Sequence, residues 1–214
     1  MRLYMLSRIF SLALLAVMTV PAFSQVVPSA TRSRLQLSVG VGFSNFDLDY
    51  GNDNGVERRM DGGTVWFDLN LNSLNHVPSF LRGFGLDCEA RDIDYDRPST
   101  LSRMRQDVAE GGPIYTLRKY KNFHPYAKYL IGFGSIDFPA DFPYPPFPPG
   151  LPNGYDHDTR TVLSPGFGLD YYAGRNIWVR ADYEYEFWRQ IFGPHDLNPN
   201  GITIGTSYLF HHKK

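Results

Sequence analysis

Ile177–Trp188 reads IWVRADYEYEFW. Its odd positions are Ile177, Val179, Ala181, Tyr183, Tyr185 and Phe187; its even positions are Trp178, Arg180, Asp182, Glu184, Glu186 and Trp188. A period of two with unlike faces is the mark of a β-strand. One face is apolar and aromatic for its whole length. The other carries a cation followed by three carboxylates. A sheet with one wet face gives this pattern. So does a membrane barrel, with apolar side chains toward lipid and charges toward an enclosed lumen. A transmembrane strand tilted near 45° needs roughly 9–11 residues, and this stretch supplies them.

Working outward, the same alternation recurs seven more times. The first predicted strand is 34–44, with Leu35, Leu37, Val39, Val41 and Phe43 opposite Gln36, Ser38, Gly40, Gly42 and Ser44. The second, 63–71, sets Val65, Phe67, Leu69 and Leu71 against Thr64, Trp66, Asp68 and Asn70. The third, 81–92, sets Phe84, Leu86, Cys88 and Ala90 against Gly85, Asp87, Glu89 and Arg91. The fourth, 104–117, is blurred by Glu110-Gly111-Gly112-Pro113, where a bulge is expected. The fifth, 124–135, opposes Ala127, Tyr129, Ile131 and Phe133 to Lys128, Leu130, Gly132 and Gly134. The sixth, 159–172, opposes Leu163, Phe167, Leu169 and Tyr171 to Ser164, Gly166, Gly168 and Asp170. The eighth, 201–210, opposes Ile202, Ile204, Tyr208 and Phe210 to Thr203, Gly205, Ser207 and Leu209. Connections after the first, third, fifth and seventh strands are long. Those after the fourth and sixth are short, and that after the second is intermediate. An even strand count with long loops on one side fits an outer-membrane barrel.

The rest of the chain bounds the reading. Residues 1–24 have a basic start (Arg2, Arg8), an apolar run Ile9–Val20, Pro21, and small residues before Gln25, the pattern of a signal peptide. The apolar run is well short of the roughly 20 residues of a spanning helix. Residues 25–33 read as a polar lead-in and 211–214 as a basic tail, leaving 34–210 for the barrel. The formal net charge is −1, which gives no reason to expect nucleic acid as a partner. The single cysteine, Cys88, cannot form an internal disulfide. Aromatic residues are 15% of the chain and no helical stripe follows the leader, so the fold class is all-β.

The leader, the two-faced strands and the alternating loops resemble the small OmpA/OmpX-type outer-membrane barrels, a porin-like family. The resemblance implies an eight-stranded antiparallel up-and-down transmembrane β-barrel in the bacterial outer membrane, in contact with its lipid and lipopolysaccharide. Thr203–Phe210 resembles the family's C-terminal assembly signal. By that match Gly205, Tyr208 and Phe210 are the positions read by the insertion machinery. The family usually stops at the terminal aromatic, whereas this chain continues with HHKK.

The expected inward charges are Asp68, Asp87, Glu89, Arg91, Lys128, Asp170, Arg180, Asp182, Glu184 and Glu186, with Glu110 as a possible addition. An eight-stranded interior is just wide enough for side chains to fill it. Charges there must pair, because unpaired buried charge is costly. The expectation is therefore an ionic network that closes the lumen, with a structural or surface-interaction role. The alternative is a narrow pore, cation-preferring because acids outnumber bases. Some barrels of this general kind modify lipid A with His, Ser and a carboxylate. Here His76 and His124 fall near the short-turn side. His157 and His195 fall in or near the outer loops, neither with a Ser in a local motif. No catalytic residue is assigned. A soluble lipocalin-like barrel in the periplasm, with its apolar face inward, is a further alternative.

Asp156-His157-Asp158, Asp47-Leu48-Asp49 and Asp92–Asp96 lack zinc or EF-hand spacing, so no metal or cofactor is expected. GVG at 40–42 and GFG at 132–134 lie within strands with no helix following, and relieve crowding rather than cradle phosphate. The loop 138–158 holds FPADFPYPPFPPGLP, whose seven prolines favour extended backbone. Two readings follow for its Phe142, Tyr144 and Phe147: the loop packs over the barrel mouth, or it presents a contact surface to a partner.

Overall fold

All eight expected strands form, each antiparallel to its neighbours. The computed structural model describes residues 36–48, 59–70, 81, 83–95, 104–117, 120–137, 157–192 and 195–210. The expected leader, lead-in, basic tail and nearly all of the Pro/aromatic loop lie outside the described residues. The strands are β1 (Gln36–Asp47), β2 (Arg59–Asn70), β3 (Phe84–Tyr95), β4 (Met104–Thr116), β5 (Phe123–Asp137), β6 (His157–Gly174), β7 (Ile177–Tyr185), β8 (Phe187–Phe192), β9 (His195–Leu197) and β10 (Asn200–Phe210).

Neighbours in sequence pair from β1 through β7, β10 pairs with both β7 and β1, and the β5–β6 ladder completes the circuit. The first and last strands meet at Leu37↔Phe210 through Asp47↔Asn200. β8 keeps the register of β7 on β6, with Gly166↔Glu184 followed by Val162↔Trp188. The stretch 177–188 is therefore one barrel strand, interrupted at Glu186, whose N–H donates to the Pro199 carbonyl at 2.7 Å. β9 pairs with β8 beyond it. The architecture is a closed eight-stranded up-and-down barrel.

The β6–β7 hairpin turns on Arg175 and Asn176, both at positive φ (52° and 67°), after Gly174 at 105°. Two consecutive left-handed residues make the tight turn whose twist matches the strands, and Gly174 takes the most open φ without a Cβ penalty. β4 departs from expectation. Its ladders with β3 and β5 hold one register from end to end, so the expected bulge at Glu110–Pro113 is absent. Pro113 points outward and pairs with Leu86, and the β4–β5 ladder skips only Gly112 and Pro113. The missing proline N–H interrupts hydrogen bonding without adding a residue.

The faces settle the orientation. Val41 is 59% exposed, Phe43 59%, Ile131 54%, Phe133 68% and Ile204 58%, all on the outside of the wall. Arg180, Asp182, Glu184 and Glu186 are buried inside. A soluble barrel needs the reverse, so the lipocalin-like alternative is excluded. Cys88 lies on the outward row with Leu86 and Ala90. Aromatic and aliphatic side chains collect at the short-turn end of the outer face: Phe84, Leu117, Tyr120, Phe123, Tyr171, Tyr208 and Phe210.

The strands also outrun their expected ends on the loop side. β5 has 15 residues and β6 has 18. At about 3.3 Å per residue these exceed the hydrocarbon thickness even when tilted. Above the lipid band the parity of the apolar positions inverts. Phe46, Leu48, Met60, Ile93, Val108, Ile136, Val162, Trp188, Ile191 and Leu197 turn inward as one buried cluster. Asp61 and Asp92, on those same upper strand segments, face out.

Candidate functional site

Inward positions of β2, β3, β5, β6 and β7, with Glu186 at the break after β7, bring the ten expected charges into one lumen, and Glu110 of β4 joins them. The tilt of the strands stacks them in layers. At the short-turn end, Arg180 holds the centre. Its Nε donates to Asp170 Oδ1 at 2.9 Å, and Nη2 donates to Asp68 Oδ2 at 2.8 Å. The guanidinium lies 5.0 Å from the Trp66 ring centroid and 4.9 Å from that of Tyr126. Two carboxylates and two aromatic faces thus hold one planar cation, the geometry for which arginine is suited. Ser38 Oγ also donates to Asp68 at 2.8 Å.

The next layer belongs to Lys128. Its ammonium donates to Glu89 and Asp182 and contacts Glu184 Oε1. Three carboxylates thus surround one ammonium, two of them as hydrogen-bond acceptors and the third as an ion pair. The Arg91 guanidinium follows, donating to Glu184 and Glu186, with Glu89 at 3.8 Å and Glu110 at 3.9 Å. The Phe46 ring closes over it at 3.9 Å. Glu186 also accepts from Gln106 Nε2 at 2.7 Å and from Trp188 Nε1 at 2.6 Å. Ser164 Oγ donates to Glu110 at 2.6 Å. The apolar cluster of Phe46 and Trp188 lies beyond this layer.

Register explains the crowding and its relief. Asp68 sits directly across from Asp87, and Glu89 from Glu110. Like charges so placed repel unless cations stand between them. Glu184 and Asp182 face Gly166 and Gly168 across the β6–β7 ladder, which leaves room for their side chains. A Cβ at Gly40 would meet the Trp66 ring, and one at Gly134 the Trp188 ring. The GVG and GFG segments therefore make space for the two large rings of the core.

Two groups, Glu89/Asp182/Glu184 and Glu110/Glu184/Glu186, have carboxylate oxygens close enough to share a metal ion. Lys128 contacts all three members of the first, and Arg91 all three of the second. The protein's own cations occupy these groups. Below Arg180 a cavity of about 1050 Å³ opens toward the short-turn end. Asp68, Asp170 and Arg180 line it, as do Tyr115, Tyr172, Trp178 and His124. The His124 and Trp178 rings meet edge-on at 4.6 Å.

Of the assembly-signal residues, Tyr208 and Phe210 lie on the outer face with rings 4.9 Å apart. A Cβ at Gly205 would strike the Val41 carbonyl and the Trp66 ring, so packing alone requires glycine there. Trp66, Tyr126, Gln106 and Trp188 were not expected among the site residues. The signal that could have found them is the same alternation, since all four occupy even, inward positions beside the charges.

The sequence matches the family described as Outer membrane protein beta-barrel domain over residues 10–210. No curated protein matches it. Among solved structures, Ail of Yersinia pestis, the attachment invasion locus protein, is 16% identical with a TM-score of 0.55, over 82% of this chain and 99% of that one. Neisserial surface protein A is 12% identical with a TM-score of 0.55, over 82% and 97%. OprG of Pseudomonas aeruginosa is 13% identical with a TM-score of 0.51, over 84% and 98%. At such identities the likeness is one of fold.

Proposed function

This chain belongs to the outer membrane protein β-barrel family, and from that premise we propose that it is a closed surface barrel of the bacterial outer membrane. Its role on this reading is structural or one of contact with molecules outside the cell, and the lumen does not serve solute passage. The observation that carries the reading is the unbroken stack across the interior: Arg180 with its two rings, then Lys128, then Arg91, then the apolar cluster. Each cation is shared by at least two carboxylates, so moving any one strands several buried charges, a cost of several kcal/mol.

A second reading is a narrow cation-preferring path. It is favoured by the interior count, in which eight carboxyl groups (Asp68, Asp87, Glu89, Glu110, Asp170, Asp182, Glu184, Glu186) surround three cations. Planar-bilayer recording separates the two. The closed reading expects a flat baseline after insertion of the folded protein. Discrete, cation-selective openings would overturn it in favour of the path.

Three finer proposals accompany this one. A leader is removed before Gln25, which N-terminal mass analysis of the membrane form tests. Gly205, Tyr208 and Phe210 are read by the insertion machinery. The 138–158 loop, whose prolines and aromatics suit a stiff exposed contact, meets a surface partner.

A further inference from the structure

Below the Arg180 layer the described side chains leave the lumen unfilled. The cavity there, about 1050 Å³, opens at the short-turn end. It stands at the upper end of the roughly 300–1,000 Å³ typical of small-molecule sites. Short turns lie on the periplasmic side of an outer-membrane barrel, so a ligand entering here comes from the periplasm.

Register gathers rings and charge onto one wall of this cavity. Asp170 of β6 pairs with His124 of β5 on one side and with Arg180 of β7 on the other. One inward step nearer the mouth, roughly 7 Å along the strand, Tyr172 pairs with Trp178. The Tyr172 and Trp178 rings are 5.1 Å apart and inclined at 56°. Trp178, Tyr172 and His124 are each partly exposed and line the cavity.

The floor is negative. Asp68, Asp87 and Asp170 surround Arg180, and three carboxylates against one guanidinium leave a formal charge of −2. Lys128, in the layer above, is held by Glu89 and Asp182. Lys121 at the rim places its ammonium 5.5 Å from the centroid of the outward Tyr120 ring. Arg180 takes two acceptor positions on Asp170, whose side chain stays partly open to the cavity. A carboxylate offers about four such positions.

The rings choose among cations. Calcium and magnesium take a shell of six or more oxygens, which an aromatic wall does not offer. An ammonium or quaternary ammonium group on an organic body is instead held by ring faces within about 6 Å of their centroids, best by tryptophan. We propose that this cavity binds a small organic cation from the periplasm, with its charged nitrogen against Trp178 and Tyr172 and Asp170 as its counter-ion. The ligand enters and leaves by one end, so the site holds whether or not the lumen conducts.

The test uses the full mature chain folded in octyl glucoside, a detergent without a choline headgroup. The probes are choline and its uncharged twin 3,3-dimethylbutan-1-ol, titrated separately and followed by saturation-transfer NMR. Heat-modifiable gel migration confirms folding of each variant. The expected result is binding of choline at least about tenfold tighter than that of the neutral twin. Trp178→Leu and Tyr172→Leu, which leave the Arg180 ion pairs intact, weaken choline binding about fivefold or more each. Asp170→Asn weakens it as well, and Trp188→Phe, in the sealed cluster at the other end, does not. No binding of choline, or equal binding of the two twins, would overturn the proposal. So would choline binding unchanged in both ring variants, or displacement by magnesium at concentrations equal to those of choline. Binding that appears only after removal of residues 211–214 would assign the cavity to the basic tail instead. No current is read in these measurements, so their failure leaves the closed lumen standing, and openings in a bilayer would leave the cation site standing.

Discussion

Asp87 and Arg180 face each other in the lumen, yet they make opposite demands on the structure. Asp87 is fully buried, lies 3.7 Å from Arg180, and receives no hydrogen bond at either oxygen from any described residue. Arg180 satisfies Asp68 and Asp170 with aligned pairs and fills the space between two rings. Removing a charge that lacks donors costs little, whereas removing the cation leaves two carboxylates stranded. Asp87→Asn is therefore expected to change unfolding stability by no more than about 1 kcal/mol, or to raise it. Arg180→Met is expected to cost about 3–5 kcal/mol. Guanidinium titration in detergent, followed by gel migration, measures both. Equal losses for the two variants would show that Asp87 contributes as much as the paired acids. The wider lesson at this scale is that residue type and parity assign a side chain to one face of the wall. They could not say which carboxylate gets which cation, because that depends on strand tilt and register.

At the level of the strand, one change of sign accounts for most of what the sequence concealed. Within the lipid band, apolar residues sit at the outward parity, as in Leu86, Cys88 and Ala90. Two residues later the rule reverses, with Ile93 buried and Asp92 outside. Read alone, Asn45-Phe46-Asp47-Leu48 and Asp92-Ile93-Asp94 look like loop, since an alternation that flips parity resembles one that has ended. The backbone ladder continues to Asp47 in the first and through the whole of the second. Where the pattern kept one parity, as in 177–188 and 201–210, the strand was fully legible. Where two strands had to be aligned, as for Asp68 and Asp87, nothing local could show it. The boundary itself is testable in a Cys88→Ser background. A lipid-soluble maleimide is expected to label Ala90→Cys and a charged, membrane-impermeant one Asp94→Cys, because only about 13 Å of strand separates hydrocarbon from water. Labelling of both sites by the impermeant reagent alone would place the water boundary below Ala90, and with it the lipid band.

The whole barrel is unlike at its two ends, and its three tryptophans happen to report on three depths. Trp188 lies in the apolar cluster at the loop end and is completely buried. Trp66 backs the Arg180 layer and is 2% exposed. Trp178 lines the cavity that opens at the short-turn end. An interior stoppered above and open below should admit a small neutral quencher to only one of the three. Acrylamide quenching of the folded protein in detergent is therefore expected to fall sharply in Trp178→Phe, with the remaining emission nearly inert. Trp66→Phe and Trp188→Phe should keep the quenchable fraction and lose part of the protected one. The asymmetry follows from packing: rings and branched aliphatics fill the loop end to the density of a protein core, which leaves no path for a probe. At the other end Asp68 and Asp170 keep part of their side chains, 13% and 20%, open to the cavity. If Trp188→Phe removed as much quenchable emission as Trp178→Phe, the upper stopper would have to open to solvent. The closed reading of the lumen would then fail together with the layered interior that supports it.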